Sequence, residues 1–181
     1  FCNEPVRDSS DHWATRMGYR HGSVLIAVAM RPKEIGLTSS VQLEFAETER
    51  ERSQIAESIA LQFFPRQTHA ARKVIVAATA GSELPLAKII SEGESVGAIM
   101  LCRTNGAIGV YNFFVEERVR GLGIGKQTMV AVSELARNEQ CIVCLQCDLS
   151  LYDWYETMGF REVGHVDIWV LDHFGTVAII G

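Results

Sequence analysis

Apolar and polar residues follow two periods along this chain, and each period predicts one kind of element. Short runs rich in β-branched and aromatic residues, many with alternating apolar and polar positions, are typical of β-strands. The predicted strands are residues 23–30, 41–46, 86–91, 95–103, 107–115, 141–147, 161–171 and 176–180. The Asn105-Gly106 dipeptide, which favours a tight hairpin turn, leads into the central strand at residues 107–115.

Apolar residues at i, i+3 and i+4 spacings predict amphipathic helices between several of these strands. The predicted helices lie between the Thr48 capping box and Pro65, at residues 124–138 and at residues 149–158. Residues 67–80 stay ambiguous, because their alanines favour a helix and their Val-Ile-Val run favours a strand. A strand-rich centre with an α-helical crossover predicts an α/β fold built on a mixed sheet.

Composition narrows the class of protein. The chain has 181 residues, 48% of them hydrophobic and 22% charged, which suits one globular domain with a real core. Its net charge of −5 disfavours nucleic acid as a partner and weakly favours a cationic substrate such as an amine. The apolar runs are too short to span a membrane, and we recognise no signal peptide. We therefore expect a cytoplasmic protein.

The five cysteines suit a reducing compartment better than a disulfide framework, since their number is odd. Cys141, Cys144 and Cys147 have a C-x-x-C-x-x-C spacing that invites a metal interpretation. Strand alternation, however, places Cys144 on the face opposite the other two, so the three thiols would not converge. We expect small buried side chains here and predict no metal site.

Two segments far apart in the chain resemble each other. Residues 12–20 read H-W-A-T-R-M-G-Y-R and residues 153–161 read D-W-Y-E-T-M-G-F-R, and each precedes a strand-like run. One explanation is an internal repeat, in which residues 1–30 are the tail of an upstream copy. The alternative is coincidence, since a helix that ends at glycine before a strand is common.

The segment Val115 to Gln127, V-E-E-R-V-R-G-L-G-I-G-K-Q, joins a predicted strand to a predicted helix. Free backbone amides at a helix N-terminus bind phosphate, and Arg118, Arg120 and Lys126 add positive charge. The segment is not a Walker A loop, because the required first glycine is Arg120. A dinucleotide fingerprint fails as well, because its last glycine would fall at Lys126.

The pattern R-x-x-G-x-G in this position resembles the acyl-CoA-binding motif of the GNAT superfamily of N-acetyltransferases. Downstream, Asp148-x-x-Leu151-x-x-x-Tyr155-x-x-x-Gly159-Phe160 is similar to that family's N-x-x-A-x-x-x-Y-x-x-x-G-F segment. Both motifs stand in the expected order. The resemblance implies a GNAT-like domain at residues 41–181, preceded by a helix–strand extension and linker at residues 1–40. It also implies a mostly antiparallel sheet, splayed at the CoA strand and flanked by helices.

The resemblance further implies roles for particular residues. Tyr155 would be the general acid that protonates the departing CoA thiolate. The pantetheine arm would lie against the backbone of Phe113 and Val115. The residues that would bind the pyrophosphate and adjoining parts of CoA are Arg118, Arg120, Gly121, Leu122, Gly123, Ile124, Gly125, Lys126 and Asp148.

The chain departs from the family pattern at three positions. Asp148 replaces the usual Asn and Leu151 the usual Ala. Gly109 stands where many members carry a general-base Glu, so proton removal from the amine needs another route. Tyr111 shares the strand face of Gly109 and is a candidate to line the acceptor site.

The resemblance implies an enzyme that transfers an acetyl group from acetyl-CoA, its co-substrate, to a primary amine by direct attack. The acceptor would be a small molecule or a peptide, and a homodimer is one option for its assembly. The missing carboxylate at Gly109 motivates an alternative, a non-catalytic GNAT-like module with a CoA-binding or regulatory role.

Overall fold

A computed structural model of the chain describes residues 14–32 and 39–171, which form one seven-stranded sheet with helices on both faces. The strands are β1 (Tyr19–Met30), β2 (Val41–Phe45), β3 (Leu86–Ser91), β4 (Glu94–Thr104), β5 (Ala107–Val115), β6 (Ile142–Cys147) and β7 (Arg161–Leu171). Their order in the sheet is β2-β3-β4-β5-β6-β1-β7. Only β5 and β6 run parallel; the other neighbours are antiparallel. The predicted fold class is confirmed.

In the described residues, four α-helices connect these strands. They are α1 (Glu49–Phe63), α2 (His69–Ala80), α3 (Ile124–Asn138) and α4 (Leu149–Glu156). The predicted capping box is present, since the Thr48 side chain accepts from the Glu51 amide and the Glu51 carboxylate accepts from the Thr48 amide. The ambiguous segment is helical, and the Thr68 side chain caps it. The predicted strand at residues 176–180 lies outside the described residues.

The core has two parts, one on each face of the sheet. Helices α3 and α4 cover the central strands on one face, where Val132, Ile108 and Phe160 are fully buried. Helix α1 covers β3 and β4 on the other face through Ile55 and Ile59. In the part of the chain that the structure describes, no helix has the length and apolar character needed to cross a membrane.

Strand β1 lies in the sheet between β6 and β7, and both of these strands are distant from it in the sequence. It pairs with β6 along one edge and with β7 along the other. The strand that the sequence pattern assigns to an N-terminal extension therefore completes the same sheet as the rest of the chain.

A β-bulge distorts the pair formed by β4 and β5. Ala98 pairs with Phe114 and Met100 with Tyr111, so two residues of β5 oppose one residue of β4. Within the bulge, Asn112 has a φ of 47°. The carbonyl oxygen of Phe114 comes so close to the Cα of Gly97 that a side chain there would overlap it. The bulge thereby orients the end of β5.

Candidate functional site

Strands β5 and β6 separate halfway along β5. Their pairing runs from Ala107 opposite Ile142 to Val110 opposite Leu145 and then stops. Strand β5 nevertheless continues to Val115. The separation leaves a stretch of the β5 edge without a strand beside it, which is the splayed geometry that the sequence predicts.

A groove of about 700 Å³ lies beside this stretch. Both the glycine turn before α3 and the side chain of Tyr155 on α4 line it. Most of its lining is apolar. The lining residues are Gln62, Phe63, Phe113, Phe114, Val115, Val119, Arg120, Gly121, Gly123, Ile124, Gly125, Lys126, Leu151, Trp154 and Tyr155.

The glycine turn presents backbone amides at the groove. Gly121 and Gly123 have φ values of 80° and 82°, which glycine adopts without strain. Gly123 is the N-cap of α3 and supplies no side-chain cap to the first turn. The first amides of the helix therefore lack side-chain partners, and they suit an anion.

Gly125 allows the helix start to pack closely. A Cβ atom at this position would lie 3.3 Å from the indole ring of Trp154 and 3.8 Å from the ring of Phe113. The contact with Trp154 is tight, so a side chain at this position would shift the indole ring slightly, whereas the contact with Phe113 is an ordinary one.

The three cations of the turn differ in orientation. The Arg120 side chain lines the groove, and its Nε donates to the Val115 carbonyl at 3.0 Å. Lys126 also lines the groove. Arg118 instead donates to Glu116 at 2.7 Å and to Glu94 at 3.1 Å, away from the groove lining. Two of the three cations thus add positive charge where an anion would bind.

Tyr155 lines the same groove and is buried, with 6% of its surface exposed. Its ring packs edge-to-face against Trp154 and Phe160, at centroid distances of 4.7 Å and 5.4 Å. Burial, and to a lesser extent nearby Cys147, raises the pKa of the Tyr155 phenol above its usual value. The phenol therefore keeps its proton at neutral pH, as a general acid requires.

Besides Arg118, two further predicted cofactor residues lie outside the groove lining. Leu122 is 71% exposed, so only its backbone belongs to the turn. Asp148 is the N-cap of α4 and makes no side-chain cap hydrogen bond. Their proposed contacts with CoA stay predictions.

The Tyr111 side chain lies outside this groove, on the sheet face that also carries Gly109. A Cβ atom added to Gly109 would lie 2.8 Å from the Tyr111 ring. The ring therefore fills the space of the missing side chain. Burial raises the pKa of the Tyr111 phenol, with contributions from Cys144 and Cys102. Cys141 and Cys147 belong to the core on the opposite face, so the predicted alternation of the three cysteines is confirmed.

Several residues that line the groove are not positions of the sequence motifs. Phe63 reaches the groove from the end of α1 and packs edge-to-face on Phe114, at a centroid distance of 6.2 Å. Trp154 covers the glycine turn from α4. In the sequence, only the position of Trp154 next to Tyr155 indicates that it lies at the site. For Phe63 the sequence shows only an apolar residue at helical spacing.

The open sheet, the amide-rich turn and the buried tyrosine are the arrangement that the resemblance to the GNAT superfamily implies. A sequence profile of the acetyltransferase (GNAT) domain matches residues 47–168, which is more than half of the chain. The chain belongs to the GNAT acetyltransferase family. Among curated proteins, none has a sequence that matches.

Solved structures share the fold at low sequence identity. A conserved protein of unknown function from Staphylococcus epidermidis is 17% identical with a TM-score of 0.63; the match covers 91% of this chain and 66% of that one. A GCN5-related N-acetyltransferase from Sphaerobacter thermophilus is also 17% identical, with a TM-score of 0.62 and coverage of 90% and 55%. This chain thus spans less than two thirds of both proteins.

A shorter relative is nearly covered in full. An aminoglycoside N-acetyltransferase, solved in complex with CoA, is 15% identical with a TM-score of 0.50. The match covers 72% of this chain and 93% of that enzyme. At these identities the likeness concerns the fold alone.

Proposed function

We propose that the chain transfers an acetyl group from acetyl-CoA to a primary amine by direct attack. The observation that carries the proposal is the placement of Tyr155, buried and protonated, in the groove that begins at the glycine turn. A phenol in this place can donate a proton to a sulfur that leaves at the inner end of the groove.

The groove is compatible with acetyl-CoA as the donor. The α3 amides, Arg120 and Lys126 supply hydrogen bonds and positive charge for a pyrophosphate. The unpaired edge of β5 at residues 111–115 leaves backbone groups for an extended amide chain such as pantetheine. The apolar lining between these ends suits the remaining methylene groups.

The proposed reaction makes one bond and breaks another. The amine nitrogen bonds to the thioester carbonyl carbon while backbone amides polarise the carbonyl, and the carbon–sulfur bond breaks. Tyr155 donates its proton to the departing sulfur. Water accepts the proton that the amine loses, and Tyr155 is reprotonated from solvent.

A non-catalytic CoA-binding module is the second candidate. The observation that favours it is the Tyr111 ring against Gly109, because this ring occupies the space in which many relatives place a carboxylate. Calorimetry with acetyl-CoA and a screen of amine acceptors separate the candidates. Binding with turnover supports the enzyme, binding without turnover supports the module, and the absence of binding contradicts both.

Gly123→Leu is expected to weaken acetyl-CoA binding by at least about tenfold. Its φ of 82° is strained for leucine, and the new side chain would point into the space of the phosphate groups. Calorimetric titration measures the change. Gly106→Leu is the matched control, because Gly106 has a similar φ of 89° and open surroundings but lies in the turn between β4 and β5. Equal affinity losses in both variants would contradict the assignment of the glycine turn.

A further inference from the structure

The internal repeat suggested by the sequence is also present in the backbone conformation. In each segment a helical turn ends at a glycine with positive φ, 82° at Gly18 and 94° at Gly159. Ala14 and Tyr155, which align with each other, are both buried, and the amide three residues further on donates to each carbonyl. A long strand follows in both cases, β1 after Gly18 and β7 after Gly159.

The two strands pair with each other as if related by a two-fold axis. Aligning Gly18 with Gly159 also aligns Leu25 with Val166, and these two residues are cross-strand partners. The axis passes between them. Reciprocity of this kind, in which equivalent residues exchange partners, defines an isologous contact.

The cross-strand residue pairs on either side of the axis show the same reciprocity. Arg20 pairs with Val170, and their aligned counterparts, Arg161 and Ala29, also pair. The register shifts follow the symmetry as well. One shift skips Gly22 on β1, and the other skips its counterpart on β7, Val163. A fortuitous match of two short sequences does not account for symmetric bulges.

The symmetry is broken at one place. The second half of β1, residues 26–30, pairs with β6, and all of these residues except Met30 also pair with β7. The corresponding half of β7, residues 167–171, pairs with β1 on one edge only, and β7 ends the sheet among the described residues. Ile168 is nevertheless buried, and Trp169 and Val170 are half-buried. Among the described residues this apolar strand has one free edge, and a free edge is a template for pairing.

We propose that the free edge of residues 167–171 pairs, in an antiparallel manner, with the strand equivalent to β6 in a second GNAT-like unit. That unit would precede β1 in the same polypeptide, and β1 would be its last strand, exchanged into the present sheet. The pairing of Ile26 with Cys147 sets the register, so Asp167 would face the counterpart of Cys147. A second copy of this chain fits poorly, because its β6 is already paired with its own β1.

Residue-resolved amide hydrogen exchange of the full-length polypeptide tests this proposal. We expect the amides of residues 167–171 to exchange at rates within about tenfold of one another, since both edges of the strand are hydrogen-bonded. In the 181-residue chain alone, alternate amides of the same segment should exchange at least about a hundredfold faster. Strand β2, at the opposite edge of the sheet, serves as the internal reference for a free edge.

Three outcomes would overturn the proposal. The first is an alternating exchange pattern over residues 167–171 in the full-length polypeptide. The second is a full-length polypeptide with no GNAT-like unit before β1. The third is protection that arises in the 181-residue chain as its concentration and measured mass increase together, because the partner would then be a second copy.

Discussion

Replacing Tyr155 with Phe is expected to lower kcat for acetyl transfer by about 10²–10⁴-fold, since the departing thiolate would lose its proton donor. Acetyl-CoA affinity should change little, because the phenylalanine ring keeps the edge-to-face contacts with Trp154 and Phe160. Steady-state kinetics with the best amine of the acceptor screen, together with calorimetry, measure the two quantities.

The pH dependence of the wild-type enzyme provides a second readout. Because burial raises the pKa of Tyr155, its phenol stays protonated as the pH rises from neutral into the alkaline range. The fraction of neutral amine grows over the same range, so kcat/KM should rise between about pH 7 and pH 9 without a fall caused by Tyr155. A profile of kcat/KM against pH tests this directly.

Tyr152→Phe is the matched control for Tyr155→Phe. Tyr152 is a half-buried tyrosine of the same helix, packed against the core but outside the groove lining. The substitution removes the same hydroxyl group and should leave turnover unchanged. If both variants lose activity equally, or if Tyr155→Phe retains full turnover, Tyr155 is not the acid that serves the leaving group.

Gly97→Ala is expected to reduce the free energy of unfolding by about 2–4 kcal/mol. The added methyl group would overlap the carbonyl oxygen of Phe114, which is backbone and cannot rotate away. Strand β5 must therefore shift relative to β4, and the bulge at Asn112 with it. Urea denaturation measures the loss of stability.

The same variant should also weaken acetyl-CoA binding, since Phe113 and Phe114 line the groove immediately after the bulge. Gly164→Ala is the control, because a Cβ atom at Gly164 meets no heavy atom within 4 Å. Its stability should stay within about 0.5 kcal/mol of the wild type. Wild-type stability in Gly97→Ala would show that the bulge tolerates a side chain.

Elements with a clear period could be predicted from the sequence. The predicted strand at 107–115 and helix at 124–138 coincide with the observed β5 and α3, because long runs of one period leave little choice. Residues 67–80 could not be resolved, since alanine and valine support different periods. The structure resolves this segment as helix α2, begun by the cap at Thr68.

The remaining features depend on contacts between distant parts of the chain. Local periodicity cannot reveal that β1 enters the sheet between β6 and β7. Arg118 looks like a phosphate ligand in the sequence, but Glu94, on another strand, and Glu116 engage its guanidinium. Trp154 covers Gly125 because α4 packs beside the start of α3. The position of β1, the contact of Arg118 with Glu94 and the contact of Trp154 with Gly125 are set by the tertiary fold rather than by neighbouring residues.

Because β1 lies within the sheet, the smallest fragment that can form this sheet must include β1. The family match begins at residue 47, well after β1 has ended at Met30. A protein trimmed to the matched region would lose the strand that separates β6 from β7, and both would expose unpaired backbone. The matched region also begins after β2, so the boundary of sequence similarity and the boundary of the folding unit differ by two strands, β1 and β2.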